Sequence, residues 1–368
     1  MVAKLFYIDG ATGLSEYGGD QWPYGPRFMY PAGDTYGRTS HILANQGRYY
    51  SDAIRGDILG YDSPSWPAFR DLTESYPWAQ AGGWTQVSST GTILYLPFSF
   101  QRLSYFGSMW GMGAYSFRIL LDGELSYRSL SSGVYYPLVP SQWFWFECRL
   151  YSHTSNGVAE IRINNTIVKR WTGILTASTH NYGDAPPVGE VPMNATAFYI
   201  PDTASSKKFN QKYDDLYMLF ADTEGELDWL SKSVCEPLYV MGAGTDQECT
   251  PEGPNNFASV EFPVNDVLYV SAVADNEKDC YSYSNLETDR ERNIVGLKVT
   301  ARAKRNGVHT RKIRCYCRVS GTNYYGDTHY LCSDWREYIH IWAVNPNTGS
   351  AWTATEVNNT QYGFERVA

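Results

Sequence analysis

No stretch of this chain approaches the ~18 to 20 consecutive apolar residues that a membrane-spanning helix needs, so no helical span is expected. The opening residues Met1–Gly10 also lack the basic flank and long apolar core of a secretory signal. The expectation is a protein that stays in the cell that makes it or leaves by lysis. Histidine is scarce: His41, His153, His180, His309, His329 and His340 are scattered, with no HxH or HExxH pattern. Zinc-assisted hydrolysis therefore finds no motif. No GxSxG elbow and no glycine-rich phosphate loop ahead of a helix is present, which removes the usual serine hydrolase and nucleotide signatures. Helical periodicity is nearly absent as well; the one stretch that carries it, Gly225 to Ser233, predicts about two turns.

Cysteine is sparse, unpaired in number and poorly spaced for metal. There are seven, with no CxxC, which reads neither as a secreted disulfide scaffold nor as a zinc knuckle. Cys315 and Cys317 alternate with Lys312, Arg314, Tyr316 and Arg318, so on a strand they share a face with Ile313 and Val319 and behave as small buried hydrophobes. Cys235 and Cys249 flank a glycine-rich junction and are the candidates for a clip between domains.

What the chain does have is aromatic side chains and turns. Its 368 residues hold 30 Tyr, 15 Phe and 12 Trp, with 32 Gly and 18 Pro, a composition that favours strands over helices. Period-two alternation is clear from Tyr115 onward. Phe144, Phe146, Cys148 and Leu150 form one apolar face, and Ala159, Ile161 and Ile163 another after the turn at Ser155 to Gly157. Asn164-Asn165 turns the chain again, and Leu216, Met218 and Phe220 close the series. Consecutive antiparallel strands of this kind predict a two-sheet sandwich. Residues 10–91 read as long aromatic loops around few strands. Beyond a junction near 222–256, marked by Met241 to Gly244 and Pro251 to Pro254, alternation resumes over 267–273, 279–284, 294–303, 311–319 and 337–342, with Asn306-Gly307 as a hairpin signal.

The expected fold is therefore all-β: a jelly-roll sandwich over 1–225, a linker with a short helix over 226–254, and a smaller docking sandwich over 255–368. Charge is unevenly spread along it. Residues 290–318 hold ten Lys and Arg against Glu291 alone, a local +9 in a chain of net charge -9. Lys298, Arg302, Lys304, Lys312, Arg314 and Arg318 are read as one basic docking surface facing other subunits; the acidic whole argues against nucleic acid.

The Trp143–Tyr151 run, the turn at Gly157, residues 159–164 and the closing Tyr213–Tyr217 resemble the concanavalin A-like, laminin-G-type jelly roll. Residues 255–368 resemble a module of tailed-bacteriophage virion proteins. That likeness is carried by Tyr269-Val270, Gly296 to Ala303, the Gly321 to Thr328 loop, Asn345 to Thr353, Glu356 to Asn358 and Gly363 to Glu365. The resemblance implies a non-enzymatic structural protein of the virion, at the neck, tail or fibre or decorating the capsid. Its implied partners are copies of itself and other virion proteins, and assembly takes place in the host bacterial cytoplasm.

Two other readings remain open. One is a receptor- or glycan-binding module on the particle surface that stacks sugars of a host surface glycan on Trp66, Trp78, Trp84 and Trp110. The other is a polysaccharide-degrading enzyme, which needs two facing carboxylates ~5 to 9 Å apart; Asp214 and Asp215 are adjacent, and Glu147 and Glu160 sit singly on their strands. No cofactor is expected, the nearest candidate being Ca2+ at Asp9, Asp62 or Asp71, which form no dense DxDxDG loop.

Overall fold

A computed structural model describes side chains for residues 77–86, 135–137, 139–175, 214–260, 267–286, 293–307, 310–333, 335 and 338–368, and additional strands by their backbone alone. The chain divides into two compact units, the first ending at Cys235 and the second running from Glu236 to Ala368. Both are built of antiparallel sheets, so the expected all-β class, a larger jelly-roll sandwich followed by a smaller one, is the observed one.

The first unit is organised on an eight-stranded sheet. Its order is Thr166–Leu175, His153–Ile163, Trp143–Tyr151, Trp78–Val87, Asn210–Ala221, Ala53–Ile58 and Arg38–Leu43, with Lys4–Asp9 also paired to Asn210–Ala221. Alternation explains its apolar face. Leu150 lies opposite Ala79 and Ala159, and Cys148 opposite Ala81 and Ile161; on the next strand Met218 and Phe220 continue the same rows. All eight of these side chains are buried. The turn expected at Asn164-Asn165 is formed, and both residues have positive φ, 47° and 71°, the type I′ requirement that asparagine tolerates. Five- and four-stranded sheets complete the unit. They include Ala68–Tyr76, Phe98–Phe106 and Met193–Phe198, so residues 10–91 hold more strand than their turn-rich sequence suggested.

In the second unit a five-stranded sheet runs Val240–Gln247, Lys278–Tyr283, Gln361–Val367, Lys312–Val319 and Thr322–Tyr330. Leu297–Ala303 pairs with Arg336–Trp342 in a separate two-stranded sheet. Val299 and Trp342 from the smaller sheet meet Cys315, Cys317, Val319 and Tyr362 from the larger in one core. As expected, Ile313, Cys315, Cys317 and Val319 are buried.

At three places the structure differs from the expectation. Asn306-Gly307 does not join a hairpin, because the strands on either side of it belong to different sheets; the hairpin turn is Ser320-Gly321, at φ 50° and 83°, between Val319 and Thr322. The helix expected over 225–233 is a single 3-10 turn, Glu224–Glu226. The carbonyls that would continue it are engaged elsewhere: Leu227 O and Asp228 O accept hydrogen bonds from Arg149 and Gln80 of the sheet. Finally, the clip expected between Cys235 and Cys249 is not formed, and all seven cysteines are free thiols.

Candidate functional site

The face of the eight-stranded sheet opposite its apolar core is polar. On Trp143–Tyr151 the alternate residues are Trp145, Glu147 and Arg149. Their cross-strand partners are Trp84, Gly82 and Gln80 on one side, with Arg162 and Glu160 on the other. Tyr217 lies opposite Gly82 from the next strand. Register thus gathers two acids, two arginines, a glutamine and a tyrosine that lie up to 137 positions apart in sequence.

All of them except Glu160 form one connected network. Arg149 Nε and Nη2 donate to Gln80 Oε1 at 3.0 and 2.9 Å. Gln80 Nε2 donates to the Tyr217 hydroxyl at 2.9 Å, which itself donates to Glu147 Oε1 at 2.7 Å. Arg162 ion-pairs with Glu147 Oε2 at 3.3 Å, and Arg170 with Glu160 at 2.6 Å. Glycine is required at position 82, since a Cβ there would stand 2.7 Å from both Glu147 Cγ and Tyr217 Cε1. Burial pushes the Glu147 carboxyl above the usual carboxylate range, against the opposing pull of Tyr217 and Arg162. Burial, reinforced by the Glu147 charge, drives the Tyr217 phenol well above its ordinary value. Burial also lowers the Arg149 guanidinium. Tyr217 is thus a protonated hydrogen-bond donor fixed on the Glu147 carboxyl.

This face is covered by residues 222–235 of the same unit. Trp229 lies over Arg149 at 4.3 Å and Arg162 at 5.4 Å, Ser231 N–H donates to Glu147 at 3.3 Å, and Ser233 O accepts from Trp84 Nε1 at 3.1 Å. Glu147 and Glu160 share the face but are 0 % and 2 % exposed.

A second polar surface lies on the outer face of the five-stranded sheet in the other unit. Lys312, Arg314 and Arg318 stand opposite Tyr330, Thr328 and Asn323 on the neighbouring edge strand, while Tyr316, opposite Tyr325, is buried and donates to Asp246. Arg314 lies over the Tyr325 ring at 3.7 Å and Lys312 over Tyr330 at 5.6 Å. Tyr325 and Tyr330 are 39 % and 61 % exposed. Arg314 also donates to Glu365 at 2.6 Å, and Arg318 to Asn323 at 2.8 Å.

The expected basic surface is therefore not one surface. Lys298 and Arg302 alternate with the inward-facing Val299 and Ala301 on the two-stranded sheet, and Lys304 follows that strand. Lys312, Arg314 and Arg318 alternate with inward residues on the other sheet, so the two sets face away from a shared core in different directions. Arg302 and Lys304 instead lie near the Trp335 ring, at 6.0 and 4.7 Å. Of the expected sugar-stacking tryptophans, Trp78 and Trp84 are buried: Trp78 stacks on Tyr151 at 4.5 Å and Trp84 packs edge-on against Trp145. Trp66 lies outside the described residues. Trp110 lies on the strand Met109–Tyr115, with its side chain outside them. Asp62 and the side chains of Asp9 and Asp71 also fall outside, and no cluster of three metal-ligating residues occurs among the described residues.

No protein-family model matches the chain and no curated protein matches it. Among solved structures it is similar to the endo-β-1,4-glucuronan lyase of the fungus Trichoderma reesei, at 11% identity over 59% of this chain and 96% of that one, TM-score 0.37. It is similar to the alginate lyase Aly36B at 14% identity, over 45% of this chain and 80% of that one, TM-score 0.31. It is also similar to the N-terminal CBM22 tandem of Xyn10C from Paenibacillus barcinonensis, at 8% identity over 99% of this chain and 90% of that one, TM-score 0.26. With two lyases among these structures, the expectation that the chain is not an enzyme is withdrawn. At such scores the likeness assigns no reaction.

Proposed function

We propose that the chain binds an acidic glycan on the outer face of the five-stranded sheet in its second unit. The observation that carries this reading is the row of exposed rings with cations over them, Arg314 on Tyr325 and Lys312 on Tyr330. Exposed rings beside cations suit an acidic oligosaccharide: tyrosine rings take the apolar C–H face of a pyranose, and neighbouring cations pair with its carboxylates. The surrounding charge favours the same ligand, since the strand lies in the +9 segment of an otherwise acidic chain.

The test is calorimetric titration of the full chain with oligoglucuronate and with a neutral cello-oligosaccharide. Preference for the acidic sugar is expected, weakening as salt rises, with at least about a tenfold loss in Tyr330→Ala and in Lys312→Ala. Equal affinity of both variants for oligoglucuronate overturns the proposal. On the sequence resemblance alone, we further propose a tailed-phage particle as the setting, where such a face would meet host surface glycan. Absence of the chain from purified particles would end that second proposal.

A further inference from the structure

The segment 222–235 crosses the polar face of the first unit without joining its sheet. Among the described residues its backbone-to-backbone hydrogen bonds are local: Glu226 to Thr223, Leu227 to Glu224 and Ser233 to Ser231. It is held instead by side chains of the face that reach its carbonyls at Leu227, Asp228 and Ser233, by the Ser231 N–H, by the Trp229 ring over two guanidiniums, and at its end by the Cys235 N–H, which donates to Asp215 Oδ1 at 2.7 Å. Leu227 is its one buried apolar residue, while Val234 is 56 % exposed. Ser231, whose N–H reaches Glu147, sits at φ +60°, a conformation that disfavours a non-glycine residue.

Lifting such a segment uncovers one buried apolar side chain, Leu227, and the partly buried Trp229 ring. Each hydrogen bond it makes to the face can be replaced by water, and Glu147 and Arg149 regain hydration that burial denied them. Opening the other face of the same sheet would instead expose Phe144, Phe146 and Leu150.

We propose that 222–235 is a displaceable cover, and that the face beneath it is a second binding site for a carboxylate-bearing oligosaccharide. The cover is a cast of that ligand. It presents three carbonyl oxygens to Arg149, Gln80 and Trp84, a carboxylate (Glu224) 3.7 Å from Arg149, a donor to Glu147, and a flat ring above the arginines. A uronate chain offers carboxylate and hydroxyl oxygens for the same three donors, a hydroxyl hydrogen for Glu147, and a ring face. The ligand class is shared with the function proposed above; the cover does not depend on it.

Hydrogen exchange read by mass spectrometry on the full chain tests both halves. Amides of 226–235 should exchange at least about 100-fold faster than those of Trp143–Tyr151, as expected of a low-stability element on a rigid sheet. Trp229→Ala should accelerate the segment further and leave the sheet unchanged. Protection of the segment equal to that of the sheet in the unmodified chain overturns the cover. With oligoglucuronate added, exchange of the segment should rise in the wild type and equally in Tyr330→Ala, where the other site is removed. A rise that disappears with Tyr330, or no rise in either protein, overturns the second site, whatever the outcome for the first.

Discussion

Tyr217 and Glu147, 70 positions apart in sequence, meet through a 2.7 Å hydrogen bond across a glycine that leaves room for both. The phenol also accepts from Gln80, so it joins Arg149 and Gln80 to the buried carboxylate. Tyr217→Phe keeps the ring and removes the link, leaving a buried amide donor with only Asp228 O and a carboxylate short of one donor. The expected loss is about 1–3 kcal/mol in urea unfolding, the penalty of buried groups left unsatisfied. An unchanged midpoint would mean that the network is looser than its distances.

The buried carboxyl also sets a pH dependence of known sign. Burial raises the Glu147 pKa in the folded state above its unfolded value. A raised group contributes stability that is fully present below the unfolded pKa and is lost as pH rises through the folded one. Glu147→Gln cannot ionise and lacks this loss. The difference in stability between wild type and variant should therefore move in the variant's favour as pH rises from about 4 toward neutrality. A difference that is flat, or that moves toward the wild type, contradicts this assignment.

The alternation that announces the strands identifies both faces of the Trp143–Tyr151 strand, yet only its apolar face is legible in the sequence. Phe144, Phe146, Cys148 and Leu150 need nothing but a core. Glu147, taken alone, reads as a solvated outward residue; its burial depends on Arg162, Gln80 and Tyr217 arriving by register from three other strands and on a cover that local pattern reads as a helix. The available signal was the parity of Trp145, Glu147 and Arg149 matched by Glu160 and Arg162 on the next strand. The basic residues show the same limit. Spacing gives each strand's outward face, but strand partnership decides that Lys298 and Lys312 belong to different sheets.

The thiols should separate cleanly by reactivity. Cys148, Cys249, Cys280, Cys315 and Cys317 are buried, and burial pushes the Cys315 and Cys317 thiols up to about 12, far from the thiolate form that alkylates. Brief iodoacetamide treatment of the native chain is expected to label only Cys235 and Cys332, which are partly exposed. Mass spectrometry after digestion checks this. Labelling of Cys315 or Cys317 without denaturant would show that the core of the second unit opens readily.

Arg314 combines two duties that mutation can tell apart from those of Arg318. Its guanidinium holds Glu365 at 2.6 Å, and that carboxylate side chain is only 3 % exposed, whereas Arg318 bonds the neutral Asn323. Arg314→Ala strands a buried charge, so a loss of roughly 2–4 kcal/mol is expected, less than for a fully enclosed pair because Arg314 itself meets solvent. Arg318→Ala should lose under about 1 kcal/mol. Thermal unfolding of the two variants decides it, and if Arg314→Gln restores most of the lost stability, hydrogen bonding rather than charge holds Glu365. For this reason the glycan-binding test rests on Lys312 and Tyr330, whose removal leaves the Arg314–Glu365 pair in place.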